Sequence, residues 1–141
     1  KACKLYGDID LLILNGDIPE DSSKISNFDT IYKIAGDITS GNIPIIFARG
    51  NHDLRGVSAE LYSQYTPDRD GYSYYTFKLG NIRGICLDCG EDKRDDCDEY
   101  GGVVACHQFR EKETEYIKSV IKNTADEYEN GDIKYRFVIT S

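Results

Sequence analysis

The sequence predicts an α/β fold, and three observations carry the prediction. Two short apolar runs, Asp10–Asp17 (DLLILNGD) and Pro44–Arg49 (PIIFAR), each end abruptly in glycine and polar residues. A helix-period segment, Phe28–Gly41 (FDTIYKIAGDITSG), lies between them. Strand, polar loop, helix, strand is the order of a βαβ unit, which places the two strands parallel.

Residues 1–7 (KACKLYG) read as the end of a helix. The run ending at Asp17 is nearly continuous in apolar residues, as in a strand covered on both faces. Pro19 and a polar cluster then make a loop. In the helical segment Ile31, Ile34, Ala35 and Ile38 repeat at three-and-four spacing and define one apolar face. Asp29 or Asn27 stands where an N-terminal cap is expected, Gly41 where a left-handed C-cap is expected, and Pro44 follows as a stop.

Leu54–Tyr65 reads as a short helix with Leu61, Tyr62 and Tyr65 facing inward, and TPDRDG as a turn. YSYYTFKLGNIRGICLD contains two aromatic and β-branched runs around Gly80-Asn81, the pattern of a hairpin. The acidic segment DCGEDKRDDCDEYGG reads as solvated loop. A helix follows, amphipathic through Phe109, Tyr116, Ile117, Val120 and Ile121, and then a last strand, YRFVITS. No internal repeat or linker interrupts the 141 residues, a length suited to one domain with a real core.

Lys and Arg number 17 against 25 Asp and Glu, a formal charge of -8. That balance argues against a nucleic-acid-coating surface. It leaves room for a local phosphate site, because a bound metal inverts the local field. No apolar run approaches the length of a membrane span. The compartment stays open, with the cytoplasm favoured and secretion compatible. Five cysteines occur, an odd number that argues against a fully paired disulfide scaffold. Cys86 and Cys89 are spaced C-x-x-C, yet Cys97 and Cys106 do not complete a zinc-knuckle spacing, so buried and loop thiols are the expectation. A calcium loop starting at Asp88 would place Lys93 where an EF-hand needs glycine.

The chemistry-bearing residues lie at the two strand exits. In open α/β sheets, ligands bind beyond the carboxyl ends of the strands. Asp17 leaves the first strand, and Asn51-His52-Asp53 leaves the second. Carboxylate, amide oxygen and imidazole are all competent ligands for divalent ions. Gly36-Asp37 repeats the Gly-Asp dipeptide inside the helical pattern and is read as surface. Arg49 and Arg55 flank the second exit; a surface or carboxylate-paired arginine is the expectation for both, with help in holding a phosphate the other reading. His107 fits a position near a helix cap.

NGD at 15–17 and GNHD at 50–53, in this order and at strand ends, resemble the Gly-Asp and Gly-Asn-His-Asp motifs of the calcineurin-like metallophosphoesterase superfamily. The stretch YYTFKLGNIRGICLDCGEDK and the helix FREKETEYIKSVI extend the likeness toward a bacterial subgroup distantly similar to purple acid phosphatases. The resemblance implies the central part of an α/β/β/α sandwich over residues 1–141, truncated at both ends. The family's upstream Asp-x-His, its later single His and its Gly-His-x-His are not in this sequence.

What the resemblance implies chemically is a phosphoester hydrolase, acting on monoesters or diesters, in a longer parent protein. A hydroxide bridging two metal ions (Mn, Fe or Zn) would attack phosphorus. Asp17 and Asn51 would be metal ligands. His52 and Asp53 would be catalytic, His52 meeting the phosphoryl group or protonating the leaving oxygen and Asp53 orienting His52 from behind. The isolated piece is expected to be inactive and to hold no metal tightly. The alternative is a non-catalytic binding or structural domain that keeps the phosphoesterase fold.

Overall fold

The computed structural model describes residues 7–66, 69–123, 125, 129 and 131–141. The expected N-terminal helix end, Cys3 and the middle of the TPDRDG turn lie outside the described residues. Strands β1 (Leu12–Asn15) and β2 (Ile45–Ala48) pair parallel, Leu12 opposite Ile45 through Asn15 opposite Ala48. Helix α1 (Ser26–Thr39) connects them, so the βαβ unit is present.

One face of this two-stranded sheet meets α1. Leu14 and Phe47 form a core with Phe28, Ile31 and Ala35 of the helix and with Tyr62. Phe28 and Ile31 are almost fully buried, and burial of such side chains is worth about 1.5–3 kcal/mol each. Ile34 packs at the margin of the same core, as its spacing predicts.

The ends of α1 differ from expectation. Neither Asn27 nor Asp29 caps it; Ile25 stands at the N-cap without a side-chain bond. The Asn27 amide instead donates to the Asp21 carbonyl at 2.7 Å and so ties the preceding loop. At the other end the left-handed turn begins one residue early, at Ser40 (φ 49°), and continues through Gly41 (φ 73°).

Strands β3 (Tyr75–Leu79) and β4 (Ile82–Cys86) form the hairpin, antiparallel, with Tyr75 opposite Cys86. Strand β5 (Tyr135–Ile139) pairs parallel with β4 on its other edge. The inner face of this second sheet packs on β2: Cys86 and Ile139 meet Ala48, with Ile46, Tyr75 and Phe77 around them. Residues 54–65 are less regular than the sequence suggests, with two 3₁₀ turns followed by one α-helical turn, α2 (Tyr62–Tyr65). Helix α3 (Cys106–Lys122) lies on the outer face of the second sheet. The Tyr74 ring packs on Phe109 and Tyr116 at 5.6 and 5.1 Å between centroids. The layers are helix, sheet, sheet, helix.

Strand β1 is not covered on both faces as its sequence implies. Leu14 is buried against α1, but Ile13 and Asn15 on the opposite face are exposed. The second sheet packs on Ile46 and Ala48 of β2 and meets β1 at its end, where the Asn15 amide donates to the Thr140 carbonyl at 3.0 Å. The free edge of β2 is closed by a side chain. The Tyr75 hydroxyl accepts from the Phe47 N–H at 3.2 Å and donates to the Phe47 carbonyl at 2.6 Å. Such a contact satisfies backbone groups that a sheet edge otherwise leaves open. Among the described residues no helix is long and apolar enough to cross a membrane.

Candidate functional site

The exits of β1 and β2 lie side by side because the parallel register puts Asn15 opposite Ala48. Two glycines let them touch. A Cβ on Gly16 would lie 2.6 Å from the Gly50 nitrogen, and one on Gly50 would lie 2.7 Å from the Asp17 nitrogen. Asp17 itself adopts φ 51°, in the left-handed region that non-glycine residues rarely occupy. The chain then closes a 3₁₀ turn at His52–Leu54, with Leu54 N–H donating to the Asn51 carbonyl at 3.2 Å.

The four residues singled out from sequence meet here. Asp17 Oδ1 accepts the His52 backbone N–H at 2.9 Å. The Asn51 amide fits its neighbours one way round: its NH₂ lies 3.2 Å from Asp17 Oδ2 and its oxygen accepts from Arg55 Nη2 at 2.7 Å. The His52 ring lies with Nδ1 2.6 Å from the Glu20 carbonyl and Nε2 3.3 Å from Arg55 Nη1. Ser22 holds the Glu20 loop in place. It is fully buried, its hydroxyl donates to the Asp53 carbonyl at 3.0 Å, and its N–H donates to the Arg55 carbonyl at 2.6 Å.

Asp53 does not stand behind His52. Its carboxylate Oδ2 accepts the N–H groups of Gly50 at 2.8 Å and Asp17 at 3.1 Å. The tight turn sends the Asp53 side chain inward, between the two strand exits, and the carbonyl of Glu20 takes the place behind the imidazole. Burial pushes the Asp53 carboxyl above its ordinary range; the two amide donors oppose this without reversing it. Asp53 therefore fixes the backbone of both motifs to each other.

Arg49 and Arg55 are both paired with carboxylates, as expected. The carboxylates come from the segment read as solvated loop, and that reading is corrected at its first residues. Asp88 is fully buried and Glu91 nearly so. Arg49 Nε donates to Asp88 Oδ2 at 2.5 Å, and its guanidinium lies over the rings of Tyr62 and Phe109 at 5.8 and 5.6 Å. Ser73 and the Gly90 N–H also donate to Asp88. Arg55 grips Glu91 through two parallel bonds, Nε–Oε1 at 3.1 Å and Nη2–Oε2 at 3.0 Å. The Tyr100 hydroxyl reaches Glu91 at 2.9 Å and Asp92 at 2.7 Å. Burial raises the Glu91 carboxyl, but the Arg55 fork and Tyr100 outweigh it and hold the group below its ordinary range. Asp88, Glu91 and Tyr100 escaped the sequence reading. The signal available was the pair of arginines bracketing GNHD, each needing a partner in an acid-rich chain.

The remaining candidates lie outside the site. Asp37 is exposed and pairs with Lys33 at 3.1 Å. His107 sits in the first turn of α3, where its N–H donates to Asp95 at 3.0 Å. Cys86 is buried, Cys89 exposed, and Cys97 and Cys106 half-buried, all as free thiols.

The arrangement can be tested against a two-metal centre. Asp17 and Asn51 supply one carboxylate and one amide, whereas metal sites use three or four protein ligands. Their polar ends are already bonded to His52, to each other and to Arg55. Among the described residues no group of three or more His, Cys, Asp or Glu side chains is arranged to hold a metal ion. These residues by themselves do not fit such a centre.

The chain is 32% identical over 84 residues to a protein of Fibrobacter succinogenes described as a probable cyclic nucleotide phosphodiesterase. The match covers 60% of this chain and 31% of that protein, so the chain spans less than a third of the relative's length. No solved structure matches the chain significantly. The sequence model of the calcineurin-like phosphoesterases matches residues 2–135, nearly the whole chain, and with the motif-bearing strand exits side by side in a helix–sheet–sheet–helix arrangement, the chain belongs to the calcineurin-like phosphoesterase family.

Proposed function

We propose that this chain by itself is a non-catalytic domain that retains the phosphoesterase fold, and that a longer protein containing it hydrolyses phosphoesters. The observation that carries the reading is the meeting of Asp17 and Asn51 at 3.2 Å beside His52, in a ligand set that among the described residues stops at two. The family supports a phosphate-ester substrate. The relative's description adds cyclic nucleotides to the esters worth testing. In the longer protein Asp17 and Asn51 would be metal ligands, and His52 would meet the phosphoryl group or protonate the leaving oxygen. Asp53 would keep the two motifs in register, a role that precedes chemistry.

The test compares the 141-residue chain with a version extended at both ends. Each is assayed with p-nitrophenyl phosphate, bis-p-nitrophenyl phosphate and a cyclic nucleotide in the presence of manganese. Turnover by the extended protein alone is the expected result. Turnover by the 141-residue chain, abolished by Asp17→Ala, would overturn the non-catalytic reading. An extended protein that binds manganese and hydrolyses none of the three esters would overturn the hydrolase reading.

A further inference from the structure

Two arginines bracket GNHD, and both are held by carboxylates, yet they differ in what they leave open. Arg49 is closed in: Nε bonds Asp88, and the rings of Tyr62 and Phe109 lie against the guanidinium. In Arg55 the five N–H donors of a guanidinium can be counted, one on Nε and two on each Nη. Nε donates to Glu91 Oε1, and Nη2 donates to Glu91 Oε2 and to the Asn51 oxygen. The two donors of Nη1 remain. Among the described residues Nη1 donates to no oxygen; the contact it makes is with His52 Nε2, at 3.3 Å. The Arg55 side chain stays 34% exposed and lines a groove of about 450 Å³ with Glu91, Lys93 and Tyr100. Both Glu91 oxygens are engaged by Nε and Nη2, and Tyr100 bonds Glu91 from the far side. The two-bond fork fixes the plane of the guanidinium, and with it the direction of the Nη1 edge.

We propose that Arg55 is a substrate-binding residue, presenting its Nη1 edge, beside His52, to an oxygen of the phosphoryl group. The inference deepens the proposed function and rests on it for the substrate class. A planar guanidinium edge matches phosphoryl oxygens, and the carboxylate fork behind it keeps the edge aimed before the ester arrives. Arg49 cannot take this part, because its guanidinium is spent between Asp88 and two rings. Asp17 and Asp92 lie close by, Asp17 bonded to the His52 N–H and Asp92 3.8 Å from Nη2. Their charge opposes an anion in the 141-residue chain alone. The test therefore uses the version extended at both ends, with manganese.

Inorganic phosphate is the probe, because its binding needs no turnover. Calorimetric titration should show it binding to the extended wild type. Arg55→Ala should weaken that binding about 10- to 100-fold, the loss of a charge-assisted hydrogen bond, with manganese content unchanged. Arg94→Ala is the control: Arg94 is exposed and pairs with Asp96, and its loss should leave the affinity at the wild-type value. If Arg55→Ala fails to fold or loses manganese, Arg55→Lys is read in its place. A lysine there holds Glu91 with its single nitrogen and keeps none for phosphate, so the affinity should fall in the same way. Wild-type affinity in a folded, manganese-loaded Arg55 variant would overturn the proposal. So would a wild type that binds no phosphate, or an equal loss in Arg94→Ala, which would trace the effect to net charge. Turnover is scored separately. An extended protein that binds phosphate through Arg55 and hydrolyses no ester loses the hydrolase reading and keeps this one. One that hydrolyses esters while Arg55→Ala binds phosphate normally keeps the hydrolase reading and loses this one.

Discussion

Gly16 and Gly50 abut backbone to backbone where β1 and β2 end, so close that a Cβ on Gly16 would stand 2.6 Å from the Gly50 nitrogen. This contact brings Asp17 to the GNHD turn. Gly16→Ala has a second penalty, because Gly16 adopts φ 67°. We expect it to cost about 2–3 kcal/mol, at the upper end of ordinary point substitutions. Gly36→Ala is the control: Gly36 lies in α1 with nothing near its Cβ position, and should gain about 0.5–1 kcal/mol. Urea midpoints at unchanged slope would report both. A neutral Gly16→Ala would show that the strand exits tolerate separation.

Asp88 is a second test of packing. It is fully buried, and it neutralises Arg49 between two aromatic rings. Asp88→Ala strands that guanidinium, and breaking a buried pair typically costs about 3–5 kcal/mol. Adding Arg49→Met removes the stranded charge, so the double variant should lose clearly less than the sum of the singles. Additive losses in chemical denaturation would mean that the two groups act separately.

Glu113 governs a pH dependence. Its carboxylate accepts the Asp88 N–H at 2.7 Å within the interior. Burial raises its pKa, and neighbouring Asp88 adds to the rise, while the Asp88 amide and Arg49 oppose it. A carboxyl raised on folding contributes stability that is fully present below its unfolded pKa and lost as pH climbs through the folded value. Glu113→Gln cannot ionise. Its stability relative to wild type should therefore increase between about pH 4.3, the unperturbed glutamate value, and neutrality. A difference constant over that window would remove Glu113 as the cause.

Metal retention follows from the ligand count. The 141-residue chain, loaded with manganese or zinc and then dialysed against chelator, should keep far less than one ion per chain. Elemental analysis measures this. Stoichiometric retention would mean that ligands other than Asp17 and Asn51 are engaged, and Cys86, Cys89, Cys97 and Cys106 would be the first to replace.

Elements whose signal is local were legible from sequence. The βαβ unit followed from two apolar runs around a three-and-four repeat, the hairpin from Gly80-Asn81, and the last helix from its periodic face. Asp17, Asn51 and His52 were singled out because strand ends are where α/β sheets place ligands, and the structure brings them to one place. What escaped depends on distant partners. Asp88 and Glu91 look solvated among their acidic neighbours, but Arg49 and Arg55, 39 and 36 residues away, neutralise them in place. The neighbour of His52 was misjudged for a similar reason. Asp53 is adjacent in sequence, but the turn directs its side chain elsewhere, and the group behind the ring is a backbone carbonyl, which no residue type announces.

The Tyr75 hydroxyl ties both backbone groups of Phe47 across 28 residues of chain, and Cys86 Sγ reaches the same carbonyl across 39. The strand–helix–strand half forms its own pairing, Leu12 with Ile45 through Asn15 with Ala48, and that pairing leaves the far edge of β2 open. It cannot satisfy Phe47 until the hairpin arrives. Closing that long loop costs entropy before it yields any contact. The two halves should therefore melt together, and amides in β2 and β3 should exchange with solvent through one shared opening event.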